Sequence, residues 1–250
     1  MNPANNSWLD DLTSADPGLS ISTVSIPYSN MKWISSKEQY LEQLSVPLIE
    51  GLLSNGVLDN PTMFVCHSLG GLLLKRTLVD ALSHQDGKRL GIRKANWKRI
   101  AFVGVPHKGS PLAKTLVAKL LLLARSETSR DLKPGNRFLD ALDTSFAQSV
   151  GRYPFCTVYS FHESKPIWQD KTLLLAGPLI RWYTRRCGPV VPYDYSRLEG
   201  VVSTDEVIDA CHFTICKLDT QTASPILKLV EDFSRALRGP EEEKLGLFPG

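Results

Sequence analysis

A serine lies at the centre of the segment Phe64–Gly71, which reads FVCHSLGG. A serine hydroxyl is a weak nucleophile, and it becomes useful where a sharp strand-to-helix turn presents it to a histidine base with a backbone N–H behind it. Such a turn needs small residues two positions before and after the serine, because larger side chains would collide with the neighbouring strand and helix. Cys66 and Gly70 hold these positions here. The segment therefore predicts that Ser68 is a nucleophile on such a turn. The alternative is that Ser68 only caps a helix.

A nucleophilic serine needs a histidine base, and the chain order serine, acid, histidine is typical of hydrolases with this turn. Of the five histidines only His212 follows every predicted strand, so it is the predicted base. His67 adjoins the serine and is expected to point elsewhere, because successive residues cannot share a face. His107 follows a predicted strand and is expected to shape the floor of the pocket by hydrogen bonds, and His67 is assigned a pocket-shaping role with it. His84 is expected to be solvated, and His162 has no clear role.

The acid that orients the histidine belongs at a strand end between the serine and the histidine. Glu163 comes after the predicted strand Phe155–Phe161 and is the favoured candidate. Asp194 and Asp205 are alternatives, since both are carboxylates in the predicted loops before His212. For each of the three, the competing interpretation is an exposed surface charge.

The elements that must position these residues begin with short apolar runs. Met63–Cys66, Ile100–Val105 and Phe155–Phe161 are too short for helices and are typical of strands buried on both faces. The alternating segment Ser20–Ile26 predicts a half-buried strand before them. Buried strands separated by amphipathic helices indicate an α/β fold, with a mostly parallel sheet covered by helices on both faces.

Helix signals fall between the predicted strands. A capping box at Ser35 opens a helix that Pro47 should kink. The helix after Ser68 carries leucines at helical spacing: Leu74, Leu78 and Leu82. A last helix is predicted from Ser224 to a stop at Gly239–Pro240. Residues 1–239 are thus expected to form one domain, with an inserted segment at about 164–189 and a flexible tail at 240–250.

The composition excludes several classes. A net charge of +3 over 250 residues is too slight to indicate a nucleic-acid partner. The five cysteines include no C-x-x-C pair, so neither a zinc finger nor a disulfide framework is predicted, and free thiols are expected. No apolar run reaches the length of a transmembrane helix, and no secretory signal is seen. A cytoplasmic protein, or one associated with an intracellular membrane, is the expectation.

Together these residues make the chain resemble the lipase-like α/β-hydrolases related to the serine-active-site-containing (SERAC) proteins, over roughly residues 7 to 235. Five blocks carry the resemblance: Ser7–Leu12, Phe64–Lys75, Phe102–Ser110, Ser160–Glu163 and Cys211–Lys217. The resemblance implies an α/β-hydrolase fold without metal or organic cofactor. It also implies a triad of Ser68, His212 and Glu163, with the backbone N–H of Leu69 in the oxyanion hole.

Members of that family begin earlier, with a strand that ends in a His-Gly loop supplying a second oxyanion donor. No His-Gly pair occurs in this sequence. The resemblance therefore predicts an N-terminally shortened form of the fold. A catalytically weak or inactive module used for binding or signalling is the competing hypothesis. A thioesterase or peptidase with the same triad is a second alternative.

The predicted reaction is the hydrolysis of a carboxylic ester, with a lipid or other apolar small molecule as the expected substrate. Residues 172–186 are apolar at first, then aromatic and basic. This pattern predicts a lid or a peripheral membrane contact. The alternative is a buried packing element. The sequence carries no indication of oligomeric state.

Overall fold

The computed structural model describes residues 37–54, 56, 60–83, 97–111, 132–151, 156–166, 188–216 and 224–244. The predicted strand 20–26, the Ser7–Leu12 block, His84 and the segment 172–186 lie outside them, so the lid, the membrane contact and the cellular location stay predictions. The chain divides into two compact units. One is Val24–Ile215, and the other combines Met1–Thr23 with Cys216–Gly250.

Four strands form one parallel sheet in the larger unit. They are Thr62–His67 (β1), Trp97–Val103 (β2), Thr157–Glu163 (β3) and Ser203–Ile208 (β4), hydrogen-bonded in that order. The register aligns four residues across the sheet: Cys66, Phe102, Ser160 and Asp205. Neighbouring strands that run parallel need a crossover between them. The predicted α/β architecture is therefore confirmed, and the carboxyl ends of all four strands meet at one edge.

β2 lies deepest in this sheet. Ile100 and Phe102 face one side and Ala101 and Val103 the other, and each is 1% exposed or less. Both faces of β2 are thus covered, as expected for a strand inside a parallel sheet. β1 differs, because all six of its residues are only partly buried. The prediction that β1 is fully buried on both faces is wrong, since it has a sheet neighbour on one side only among the described strands.

The described helices are Lys37–Ser54 (α1), Leu69–Ser83 (α2), Arg137–Gly151 (α3), Tyr193–Ser196 (α4) and Ser224–Lys244 (α5). α2 packs against α1, α3 and β1 and so forms the centre of a helical layer. Leu74 and Leu78 are buried there, which confirms the helical spacing of the leucines. Phe102 of β2 meets Phe146 of α3 edge-on, with ring centroids 5.6 Å apart. This core anchors the helix that begins directly after Ser68.

The strand β4 was not predicted from the sequence. Four consecutive residues, Thr204 to Val207, are exposed in an otherwise regular parallel strand. An edge strand needs little apolar surface, so its hydrophobic signal is weak. As a result Asp205 lies in a strand rather than in the predicted loop. β3 also ends later than predicted, and Glu163 is its last residue.

α5, in the smaller unit, begins at Ser224 as predicted but continues through Gly239–Pro240 to Lys244. The prediction that Gly239–Pro240 ends this helix is wrong. A proline removes one backbone hydrogen bond and favours a kink, while the following Glu241–Lys244 residues are good helix formers. Among the described residues no helix combines the length and the apolar character needed to cross a membrane.

Candidate active site

Ser68 occupies a sharp turn between the end of β1 and the start of α2. Its φ is +53°, and it is the one non-glycine residue with positive φ in the described part of the chain. The N–H of Ser68 donates to the carbonyl oxygen of Val103 over 3.0 Å, and its own carbonyl oxygen accepts from Gly71 over 3.0 Å. A left-handed backbone costs a non-glycine residue about 1–2 kcal/mol. The turn predicted from the sequence is therefore present and is held by neighbouring backbone.

The close packing of this turn falls on Gly71. A Cβ at Gly71 would lie 2.3 Å from Cγ2 of Val105, whereas no described atom comes within 4 Å of a Cβ at Gly70. The prediction that Gly70 must be small to avoid a collision is thus wrong, because that side of the helix faces open space among the described residues. Cys66 packs partly buried against the core, and burial raises the pKa of its thiol to about 12.

The structure brings Ser68, His212 and Glu163 together. Oγ of Ser68 lies 2.9 Å from Nε2 of His212, and Nδ1 of His212 lies 2.8 Å from Oε2 of Glu163. A carboxylate accepts hydrogen bonds, so Nδ1 carries the proton and Nε2 is left to accept from the serine hydroxyl. The three residues are 2%, 0% and 3% exposed. In such a dry site the two hydrogen bonds are stronger than in water.

The loop that carries His212 is fixed on both sides. Thr214 accepts from the N–H of Cys211 over 3.0 Å and donates its own N–H to the carbonyl oxygen of Cys211 over 2.9 Å. His67 donates from Nε2 to the carbonyl oxygen of His212 over 2.9 Å. The ring of His67 packs 4.9 Å from that of His212, and the pocket-shaping role of His67 stays a prediction. Burial, with a smaller effect of the His212 charge, lowers the pKa of His67 to about 3.

Comparisons with known proteins bear on the family and the fold of this chain. No protein-family model matches the chain. Protein SERAC1 of Danio rerio is 30% identical over 234 residues, which are 90% of this chain and 33% of that protein. Protein SERAC1 of Mus musculus is 31% identical over 176 residues, which are 70% of this chain and 24% of that protein. This chain thus spans about a third or less of the length of these relatives.

A solved structure gives the fold independently. Phospholipase PlaB from Legionella pneumophila aligns with a TM-score of 0.56 at 12% identity, over 91% of this chain and 57% of that one. This chain is an α/β-hydrolase related to the SERAC proteins.

Two contacts at the candidate site of this SERAC-like chain were not predicted from the sequence. The N–H of Val191 donates to Oε1 of Glu163 over 2.5 Å, although a backbone donor leaves no signature in residue types. Gly104, directly after β2, has a φ of +54° and donates its N–H to the carbonyl oxygen of Phe161 over 2.9 Å. It lies beside the pair of His212 and Glu163. A Gly immediately after a buried strand was the available signal.

Neither alternative acid contacts the base. Asp205 lies on β4 with Oδ1 3.5 Å from Nε2 of His162, whose Nδ1 is 2.6 Å from Oγ of Ser196. Burial lowers the pKa of His162, against a smaller opposite effect of Asp205. Asp194 is exposed on the short helix α4. His162, which had no predicted role, thus bonds to Ser196 of α4 and lies near Asp205 of β4.

His107 belongs to a buried polar cluster in the helical layer. Its Nδ1 lies 3.2 Å from Nζ of Lys75, and Lys75 forms an ion pair with Asp143. Lys75 is fully buried, and burial lowers its pKa and that of His107 well below their usual ranges. No hydrogen bond joins this cluster to Ser68, His212 or Glu163 among the described residues. The pocket-shaping role of His107 stays a prediction.

Leu69 is the first residue of α2. The first N–H groups of a helix have no intrahelical acceptor, so the N–H of Leu69 suits the predicted oxyanion donor. The described residues include no group of three or more His, Cys, Asp or Glu side chains arranged to hold a metal ion. Cys66, Cys156, Cys211 and Cys216 are free thiols, while Cys187 lies outside the described residues.

Proposed function

We propose that this chain is a serine hydrolase that cleaves carboxylic esters through an acyl-enzyme on Ser68. The observation that carries the proposal is the hydrogen-bonded series from Oγ of Ser68 through His212 to Glu163. Ser68 also holds a left-handed backbone. Strained backbone of this kind is concentrated at functional sites. A serine that only capped a helix would need neither the strain nor the buried histidine.

The proposed reaction begins as Oγ of Ser68 attacks the ester carbonyl carbon and passes its proton to Nε2 of His212. The carboxylate of Glu163 stabilises the imidazolium that forms. The carbonyl π bond breaks, and its electron pair becomes the oxyanion, which the N–H of Leu69 faces at the start of α2. The carbonyl then re-forms as the bond to the alkoxy oxygen breaks, and His212 gives that oxygen the proton. Water, deprotonated by His212, attacks the acyl carbon, the bond from that carbon to Oγ breaks, and His212 returns the proton to Ser68 as the acid leaves.

A lipid or other apolar ester is the proposed substrate class. The support is the family resemblance to lipase-like hydrolases and the fold shared with a protein named as a phospholipase. Thioesters and peptides use the same triad chemistry. A panel of p-nitrophenyl esters of increasing chain length, phospholipids, an acyl thioester and a peptide p-nitroanilide separates these classes by their kcat/KM values.

The test compares the full chain with Ser68→Ala and with the control Ser149→Ala. Ser149 is a serine of α3 whose hydroxyl bonds to the carbonyl oxygen of Ser145. We expect a fluorophosphonate probe to label the wild type and Ser149→Ala but not Ser68→Ala. We also expect p-nitrophenyl ester hydrolysis to follow the same pattern. If neither wild type nor Ser68→Ala hydrolyses the esters above the uncatalysed rate, the chain is a non-enzymatic module, and if both do so equally, Ser68 is not the nucleophile. Either result overturns the proposal.

A further inference from the structure

One peptide group joins Glu163 to a serine outside the triad. The N–H of Val191 donates to Oε1 of Glu163 over 2.5 Å. The carbonyl oxygen at the other end of the same peptide unit, that of Val190, accepts a hydrogen bond from Oγ of Ser110. Both valines and Ser110 are 1% exposed or less. Hydrogen bonds in series polarise one another in a dry interior. The bond from Ser110 to the carbonyl oxygen of Val190 therefore strengthens the bond from the N–H of Val191 to Oε1 of Glu163.

Ser110 is itself held in place by its surroundings. Its N–H donates to the carbonyl oxygen of Leu132 over 2.6 Å. Two residues earlier, the N–H of Lys108 donates to the carbonyl oxygen of Tyr195 in α4 over 3.0 Å. The segment after β2 is therefore hydrogen-bonded both to Leu132 and to Tyr195, which follows Val191 in the chain. The hydroxyl of Ser110 consequently has a defined position against the peptide group.

The carboxylate of Glu163 needs such a restraint. The last side-chain torsion of a glutamate is broad, so the carboxylate plane turns freely unless both oxygens are engaged. Val191 engages Oε1, which leaves Oε2 directed at Nδ1 of His212, 2.8 Å away. The orientation of the acid thus depends on where the Val190–Val191 peptide lies.

We propose that Ser110 is a positioning residue: its hydroxyl fixes the Val190–Val191 peptide, and that peptide orients the carboxylate of Glu163 toward His212. The inference rests on the proposed ester hydrolysis. It adds a residue that touches neither the substrate nor the reacting atoms.

Ester hydrolysis by the full chain tests this role through kcat and KM measured separately. We expect Ser110→Ala to lower kcat about tenfold, the effect of one hydrogen bond on the transition state, with KM changed by less than about twofold. Ser110→Thr keeps the hydroxyl and should recover kcat to within about threefold of wild type. Ser149→Ala, which also loses a buried serine hydroxyl, should keep the wild-type kcat. If Ser110→Ala behaves like Ser149→Ala, the inference is wrong and the proposed function stands.

A double-mutant cycle tests the route through the acid. In the Glu163→Ala background no carboxylate remains to be oriented, so adding Ser110→Ala should lower kcat by less than about twofold further. A further loss of about tenfold in that background would show that Ser110 acts by another route and would overturn the inference.

A spectroscopic readout does not depend on turnover. The Nδ1–H proton of His212, hydrogen-bonded to Glu163, should give a downfield proton resonance in the wild type. We expect Ser110→Ala to shift or broaden that resonance, while Ser149→Ala leaves it in place. If the wild type hydrolyses no ester, the proposed function fails, and this resonance still decides the inference: an unchanged signal in Ser110→Ala refutes it.

Discussion

Gly104 lies directly behind the hydrogen bond between His212 and Glu163. A Cβ at Gly104 would lie 3.3 Å from Nδ1 of His212 and 3.8 Å from Oε2 of Glu163. The φ of +54° at this residue also disfavours any side chain. The absence of a side chain at position 104 therefore leaves room for the histidine and the acid to meet.

Gly104→Ala should lower both activity and stability. The backbone strain costs about 1 kcal/mol or more, and the added methyl group pushes the His212 ring away from Glu163. We expect kcat to fall about tenfold or more, measured on a p-nitrophenyl ester together with the free energy of unfolding in urea. Gly135→Ala is the matched control, because Gly135 has a φ of +75° and no described atom within 4 Å of its Cβ position. If both variants lose stability and both keep kcat, Gly104 has no bearing on the triad.

Glu163→Gln and Asp205→Asn distinguish the two acids. The amide cannot stabilise a charged His212, and it permits the wrong tautomer, so kcat should fall by about 10³-fold or more in Glu163→Gln. Asp205 contacts His162 instead, so Asp205→Asn should keep kcat within about threefold of wild type. Steady-state kinetics of both variants on one ester decide the matter. A large loss in Asp205→Asn alone would reverse the assignment.

The ion pair of Lys75 and Asp143 should affect stability when it is broken from one side. Lys75→Met leaves Asp143 buried without its partner, so the free energy of unfolding should fall by about 3 kcal/mol. The double variant Lys75→Met/Asp143→Leu removes both charges and should recover most of that loss. Urea unfolding of the two variants provides the comparison. Equal losses in the single and double variants would contradict the expectation.

The buried histidines should make the protein less stable in mild acid. The pKa of His67 lies at about 3, and those of His107 and His162 are lowered too, chiefly by burial. As the pH falls below about 6.5, the unfolded chain binds protons that the folded chain does not. The free energy of unfolding should therefore decrease from that pH downward, by at most about 1.4 kcal/mol per pH unit and group.

Urea midpoints measured at intervals from about pH 7.5 to pH 5 check this dependence. His67→Gln removes one of the three groups and should reduce the slope. Exposed acidic groups with lowered pKa values, such as Asp209 beside Lys165, also contribute to the free energy of unfolding. That contribution is lost only when the pH falls to the ordinary pKa of an aspartate and below it, outside the interval measured. A midpoint that does not change across the interval would show that the histidines titrate alike in both states.

The sequence predicted those parts of the site that depend on residue type and chain order. A small-residue pattern around Ser68 predicted the turn, and the position of His212 after every predicted strand made it the candidate base. Glu163 followed from the end of a β-rich segment. These features depend on the types of the side chains and on their order in the chain, both of which can be read from the sequence.

Other parts could not be predicted, because they depend on contacts between distant backbone groups. Nothing in the types of Val190 and Val191 shows that their shared peptide holds Glu163. The edge strand β4 presents polar residues to solvent, so Asp205 looked like a loop residue. Gly71 rather than Gly70 is the crowded position, because a Cβ at Gly71 would meet Val105, which lies in the segment after β2. The residue types around Ser68 do not record that contact.

The triad residues lie 144 positions apart between Ser68 and His212, and 49 apart between Glu163 and His212. Long sequence separations make contacts slow to form during folding. The three side chains meet only after β1, β2, β3 and β4 have paired in the correct register. Enzymatic competence should therefore be among the last properties recovered on refolding, later than helix content. Activity regained after dilution from denaturant then reports the completion of the sheet.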